Sequence, residues 1–189
     1  MNTSQIAAGA AVTAAGALAN GGSMVLYSGG MPVSPETALS GDTSLCPLTL
    51  AATAFGAPTY VTPNMQAAAS FTASSFTITA NGFANFARVL ESNGTVAVFD
   101  LTCIAPYQTV SFSPPLGFLC SNGGNTYKIT TAGTTADVPP TGITTSTDGT
   151  AVWTYVGAGV LGDVVLQGSY LQNTTTINSP TWVLQQAAS

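Results

Sequence analysis

Apolar and polar residues alternate with a period of two along much of this chain, as expected of strands with one covered face. The clearest case is Asn81 to Cys103, where two apolar runs, Phe83 to Leu90 and Thr95 to Cys103, flank Ser92-Asn93-Gly94. Asn-Gly predicts a tight type I′ hairpin turn, because both residues accept the positive φ that turn needs. In the second run Ala97, Phe99, Leu101 and Cys103 share one face, and Val96, Val98 and Asp100 share the other. A hairpin this apolar belongs in a core. It also holds Arg88, with Glu91 and Asp100 close by across the turn, and a lone cation among strands is expected to pair locally.

The pattern before the hairpin begins differently. From Thr3 to Asn20, Ile6, Ala10, Thr13, Ala14, Ala17 and Leu18 recur at helical spacing behind Ser4, a candidate N-cap. Gly9 and Gly16 each weaken a helix by about 1 kcal/mol relative to alanine, so an extended arm ordered by a neighbour is the rival reading. In either form Ile6, Val12 and Leu18 are the candidate residues for docking on another subunit. After Gly21-Gly22 the alternation predicts strands over Met24 to Ser28, Leu45 to Leu50 and Ala68 to Thr79, with Pro47 at an edge or bulge.

Composition shifts after the hairpin. Ala105 to Gly159 carries Pro106, Pro114, Pro115, Pro139 and Pro140 with many glycines, which marks an insertion. Inside it Asn125 to Thr131 and Thr150 to Val156 predict strands, with Asp148-Gly149 as a turn. Tyr127, Trp153 and Tyr155 are its aromatic cluster, either a miniature core or a surface-binding platform. Val164 to Gln167, Leu171 to Ile177 and Thr181 to Gln185 predict strands returning to the body. Short strands between Gly, Pro and Asn turns predict a mainly β fold, an antiparallel β-sandwich or jelly roll. The expected division is an N-terminal helix or arm over 1–23, a body of 24–104 and 159–189, and an inserted projecting β module over 105–158.

Charge changes the functional picture more than the fold. Only 5% of the 189 residues are charged, against roughly 25% in ordinary soluble proteins, so the surface is built of neutral polar side chains. With two basic and seven acidic residues there is no cluster to neutralise phosphates, which argues against a nucleic-acid partner. The absence of histidine removes the commonest general base and nitrogen ligand. Cys46, Cys103 and Cys120 have no C-x-x-C spacing, so no metal or cofactor site is expected; they read as buried thiols, with a Cys103 to Cys120 link as the alternative. Asp137, Asp148 and Asp163 are the acid–base candidates of an enzyme, yet each lies in turn-rich sequence where aspartate is ordinary. The Ala- and Gly-rich start lacks the basic region of a secretory signal and is too weakly apolar for a membrane span.

Two sets of residues resemble proteins of tailed bacteriophages. The first is LTLAATAFG at Leu48 to Gly56, FARVLESNGTVAVFDLT at Phe86 to Thr102 and GDVVLQGSYLQNTTTINSPTWVLQ at Gly162 to Gln185. It is similar to small phage virion proteins in which a short helix precedes a β-sandwich. The second, GNTYKITTAGTTADVPPTGITTSTDGTAVWTYVG at Gly124 to Gly157, resembles a β module of phage tail fibres and spikes, with Gly142 where a tryptophan is usual. The resemblance implies a non-enzymatic virion structural protein, most specifically a capsid decoration (cement) subunit. Its expected partners are the major capsid protein and copies of itself, with a host surface glycan as a further one and neither nucleic acid nor membrane. Its expected place is the outer surface of the particle, after synthesis in the host cytoplasm. A tail- or fibre-associated protein and a carbohydrate-binding adhesin module are the alternatives.

Overall fold

The computed structural model describes residues 4–109, 111–168 and 170–187. Helix α1 (Gln5–Ala17) precedes β1 (Ser23–Ser28), β2 (Thr43–Phe55), β3 (Thr59–Val61), β4 (Asn64–Phe71), β5 (Ser75–Thr77), β6 (Gly82–Phe83), β7 (Phe86–Leu90) and β8 (Ala97–Pro106). Then follow β9 (Leu119–Asn122), β10 (Asn125–Thr131), β11 (Thr145–Asp148), β12 (Ala151–Ala158), β13 (Val164–Val165), β14 (Tyr170–Leu171), β15 (Thr176–Asn178) and β16 (Thr181–Ala187). The fold is mainly β with one short helix, as the alternation predicts.

The strands β8, β13, β16, β4, β2, β1 and β7 lie side by side, and β7 pairs back onto β8 to close a seven-strand barrel. The finer expectation of an antiparallel sandwich or jelly roll is not confirmed by this pairing. The barrel is mixed, because Val164 and Val165 run parallel to Cys103 and Ile104. A parallel return needs a long crossover, and the segment between β8 and β13 supplies it. Met24, Leu26, Cys46, Leu48, Leu50, Ala87, Val89, Leu101, Cys103, Val164 and Trp182 belong to one buried core. Their spacing by twos along each strand is the alternation seen in the sequence. Each fully buried leucine here contributes roughly 1.5–3 kcal/mol relative to an exposed one. Trp182 is held edge-on by Phe55 and Phe99, at ring-centroid distances of 4.7 and 5.7 Å.

The helix forms where expected, with the Ser4 hydroxyl accepting from the Ala7 N–H at 3.3 Å; a start at Thr3 lies outside the described residues. Its buried face is a correction. Ala8, Val12 and Gly16 pack against the barrel, while Ile6 is 86% and Leu18 48% exposed. Small residues decide this, because they let the helix approach closely; a Cβ on Gly16 would stand 3.1 Å from the Phe55 ring. The helix is thus docked on its own chain.

The hairpin pairs β7 with β8, but the first strand expected over Phe83 to Leu90 divides, Phe83 pairing with Tyr170 in β14 instead, and the turn is another. Gly94 has φ +72°, whereas among the described residues only Asp137 and Thr174 are non-glycines with positive φ, so the turn is not type I′. The Gly94 N–H donates to the Glu91 carbonyl and the Glu91 N–H to the Val96 carbonyl, both at 2.9 Å. Asn93 Oδ1 accepts from the N–H groups of Thr95 and Val96 at 2.8 and 3.1 Å, which fixes this wider loop. Elsewhere the single strand expected over Ala68 to Thr79 is two, β4 and β5. Leu171 to Ile177 likewise divides, into β14 and β15 around Thr174 at φ +69°.

The segment after β8, expected as a projecting module, joins the parent sheet. Ile104, Ala105 and Pro106 pair in parallel with Leu119, Cys120 and Ser121, so β9, β10, β12 and β11 extend the barrel's sheet. Asp148-Gly149 makes the β11–β12 turn, with Gly149 at φ +64°.

Candidate functional site

The aromatic cluster of the crossover segment lies inside it. Tyr127 and Trp153 are 1% and 0% exposed and Tyr155 is half-buried, which corrects the platform reading. They build a second core with Phe118, Cys120, Ile129 and Ala151, and Phe83 of β6, which pairs with β14 outside the barrel, joins it. The Tyr127 hydroxyl donates to the Gly142 carbonyl at 2.9 Å, and its ring meets Tyr155 edge-on at 6.1 Å. So short a sheet needs large rings on its inner face to bury enough area, and that use removes them from ligand reach. Tyr107 and Phe112 complete this core from segments where no strand was expected; their aromatic character was the available signal.

Asp148 is the centre of this core. It is fully buried and accepts from Tyr107 Oη at 2.7 Å, the N–H groups of Ala136 and Val138 at 2.7 and 3.0 Å, and Trp153 Nε1 at 3.4 Å. Burial raises its pKa, but the donors from Tyr107, Val138, Ala136 and Trp153 outweigh burial and hold the carboxyl below its ordinary range. The Tyr107 phenol is pushed upward, by burial first and then by its bond to this carboxylate. With four donors around it, the carboxylate is a structural acceptor that fastens the 134–138 loop to the sheet.

The other acid candidates lie in separate settings. Asp163 Oδ2 accepts from the Thr102 N–H and hydroxyl at 2.8 and 2.7 Å, tying the return strand to β8. Asp137 holds a left-handed turn position at φ +62°. Among the described residues no three Cys, Asp or Glu side chains gather in a group able to hold a metal. The three cysteines are free and buried. Burial pushes the Cys46 thiol up to about 11 and the Cys120 thiol up to about 12, and raises Cys103 too, so none is a ready nucleophile.

The expected docking residues divide. Val12 is 2% exposed and belongs to the barrel core, so it is not available to a neighbour. Ile6 lines a shallow groove of about 320 Å³ with Gly9, Thr13, Pro58, Tyr60 and Met65. Beside it, among the described residues, β3 pairs with β4 alone, and Tyr60 and Val61 are 44% and 52% exposed. This apolar groove next to an open strand edge is the strongest candidate interaction site. Leu18 stands apart from it, half exposed. In comparison with known proteins, no family model, no curated protein and no solved structure matches the chain.

Proposed function

We propose that the chain is a non-enzymatic virion structural protein, a capsid decoration subunit that packs on the outer shell of a tailed phage. The reading is supported most by one observation: the Ile6–Tyr60 groove and the free β3 edge lie on a surface with almost no charge. One of the two basic residues, Arg88, is itself buried in an ion pair, which leaves Lys128 as the other. Contact between such surfaces strips few ions of water, so a subunit surrounded by neighbours meets little desolvation cost. Weak long-range repulsion between copies fits the same use. The proposed partners are the major capsid protein and further copies of this chain, with residence on the outside of the particle. The sandwich-like layering of small virion proteins belongs to this proposal, as a likeness suggested by the resembling segments at Leu48 to Gly56 and Phe86 to Thr102. No helix among the described residues is long and apolar enough to cross a membrane.

A second reading, a tail- or fibre-associated component, is favoured by the likeness of Gly124 to Gly157 to fibre modules. Quantitative mass spectrometry of purified particles separates the two. A decoration subunit is present in copy number comparable to the major capsid protein, and a tail component far below it. Co-sedimentation with shells then tests the groove. Ile6→Asp and Tyr60→Asp are expected to remain folded and to lose binding; full binding by both rejects the groove as the docking face.

A further inference from the structure

A larger concavity lies where the crossover segment meets the returning strands. It encloses about 620 Å³ and is lined by Tyr107, Gln108 and Thr109 on one side and by residues within 167–178 on the other. That volume is within the range of small-molecule sites, and a junction between two packed units is a usual place for one. Its lining is chemically narrow. Gln108, Gln167, Gln172 and Asn178 bring amides, Tyr170 brings a ring, and the buried Leu171 and Ile177 underlie them. Among the described residues that line it, none carries a charge.

Several of these groups are fixed before any ligand arrives. The Tyr170 ring is 38% exposed and braced edge-on by Phe83 at 5.0 Å. Gln167 Oε1 accepts from Asn178 Nδ2 at 2.7 Å, which holds these two lining amides together. Gln108 Oε1 accepts from the Tyr170 N–H at 3.4 Å, so the glutamine and the tyrosine are positioned together. Tyr107 directs its hydroxyl to Asp148 and lines the groove as well.

We propose that this groove binds a neutral carbohydrate. A sugar ring has one apolar C–H face and a rim of hydroxyls that donate and accept at once. The Tyr170 face suits the former, and primary amides, which also donate and accept, suit the latter. An anionic ligand would find no cation here, and a purely apolar one would strip water from polar amides without replacing it. Restrained side chains lower the ordering cost of binding. The site is independent of the assembly role, since it lies on the purified chain and needs no particle.

The test is calorimetric and NMR titration of the purified full chain with maltohexaose, mannotriose and tri-N-acetylchitotriose, with polygalacturonate as the anionic comparison. Saturable binding of a neutral sugar is expected, with no binding of polygalacturonate. Gln167→Ala and Tyr170→Ala should each weaken it by about tenfold, the equivalent of one hydrogen bond or stacking contact. Tyr170→Phe, which keeps the ring, should bind like the wild type. Gln167 is exposed, so its variant reads the site even where loss of the Tyr170 ring disturbs Phe83. Absence of saturable binding to all three neutral sugars overturns the proposal, as does equal binding of polygalacturonate or binding indifferent to both alanine variants.

Discussion

Arg88 and Asp100 stand directly opposite each other on neighbouring strands β7 and β8, joined by two parallel hydrogen bonds of 2.8 Å. Their side chains are 8% and 5% exposed, and Arg88 Nη2 also donates to the Thr37 carbonyl at 3.0 Å. The pair therefore does two things: it fixes the register of the hairpin and pins the 29–42 loop over the barrel's outer face. Tyr27 and Phe86, stacked at 5.3 Å, lie on the neighbouring strands.

Removing one partner strands the other charge in a buried place. Asp100→Ala is expected to lower the unfolding free energy by about 3–5 kcal/mol, whereas the double variant Arg88→Met with Asp100→Leu should lose much less. Urea denaturation of the three chains measures this. A double variant no more stable than Asp100→Ala would mean that the arginine acts mainly through the loop carbonyl.

Two glycines of α1 should respond in opposite ways to alanine. A Cβ at Gly9 meets only Met65 Cε, the flexible end of a side chain, at 3.3 Å, so the propensity gain of up to about 1 kcal/mol prevails. A Cβ at Gly16 meets the Phe55 ring at 3.1 Å, and that ring is already packed on Trp182. Gly9→Ala should raise the melting temperature and Gly16→Ala should lower it; the same sign for both would show that the helix shifts freely on the barrel.

Acid should loosen the second core through Asp148. Its pKa is lowered on folding, so its contribution is fully present above the unfolded-state value and is lost as pH falls through the folded one. The urea midpoint should therefore drop below about pH 4, and the gap between neutral and acid midpoints should narrow in Asp148→Asn. Tyr107→Phe, which removes a bond to a charged group, should cost about 1.5–3 kcal/mol at neutral pH. An unaltered acid response in Asp148→Asn would assign it to other carboxylates.

The strand alternation was legible because the barrel strands have one wet and one dry face. In β2, Cys46, Leu48 and Leu50 enter the core while Pro47 and Thr49 between them are exposed. The helix was legible too, since Ser4 and the run of alanines mark it. Its face was not, because Ile6 and Leu18 are larger than Ala8 and Gly16, and close approach to Phe55 outweighs the area they would bury. The turn at Gly94 was legible only in its glycine: Asn93 uses its side chain to accept backbone N–H groups instead of adopting a positive φ. Barrel closure was hidden because it depends on β13, two residues long, finding β8 across the whole crossover. The concavity between the crossover and the returning strands was hidden for a similar reason, as Gln108 and Gln167 are remote in sequence and ordinary in composition.

The crossover segment should be removable without loss of the barrel. Every strand of the closed ring lies outside residues 107–158, and among the described residues the main core draws none from that span. The two chain crossings also touch, since a Cβ on Gly162 would collide with the Ile104 side chain, so a short linker suffices to rejoin them. Closure entropy grows slowly with loop length and does not oppose the exchange. What is lost is the β8–β9 pairing and the cover over Phe83, which belongs to the second core. Replacing residues 106–158 by a Gly-Ser linker, together with Phe83→Ser, should therefore give a soluble chain that unfolds in one urea transition at a lower midpoint. Trp182 would be its only tryptophan, and its buried fluorescence reports the barrel directly. A broad transition, or Trp182 emission already at the solvent-exposed wavelength without urea, would mean that the barrel closes only with the crossover in place.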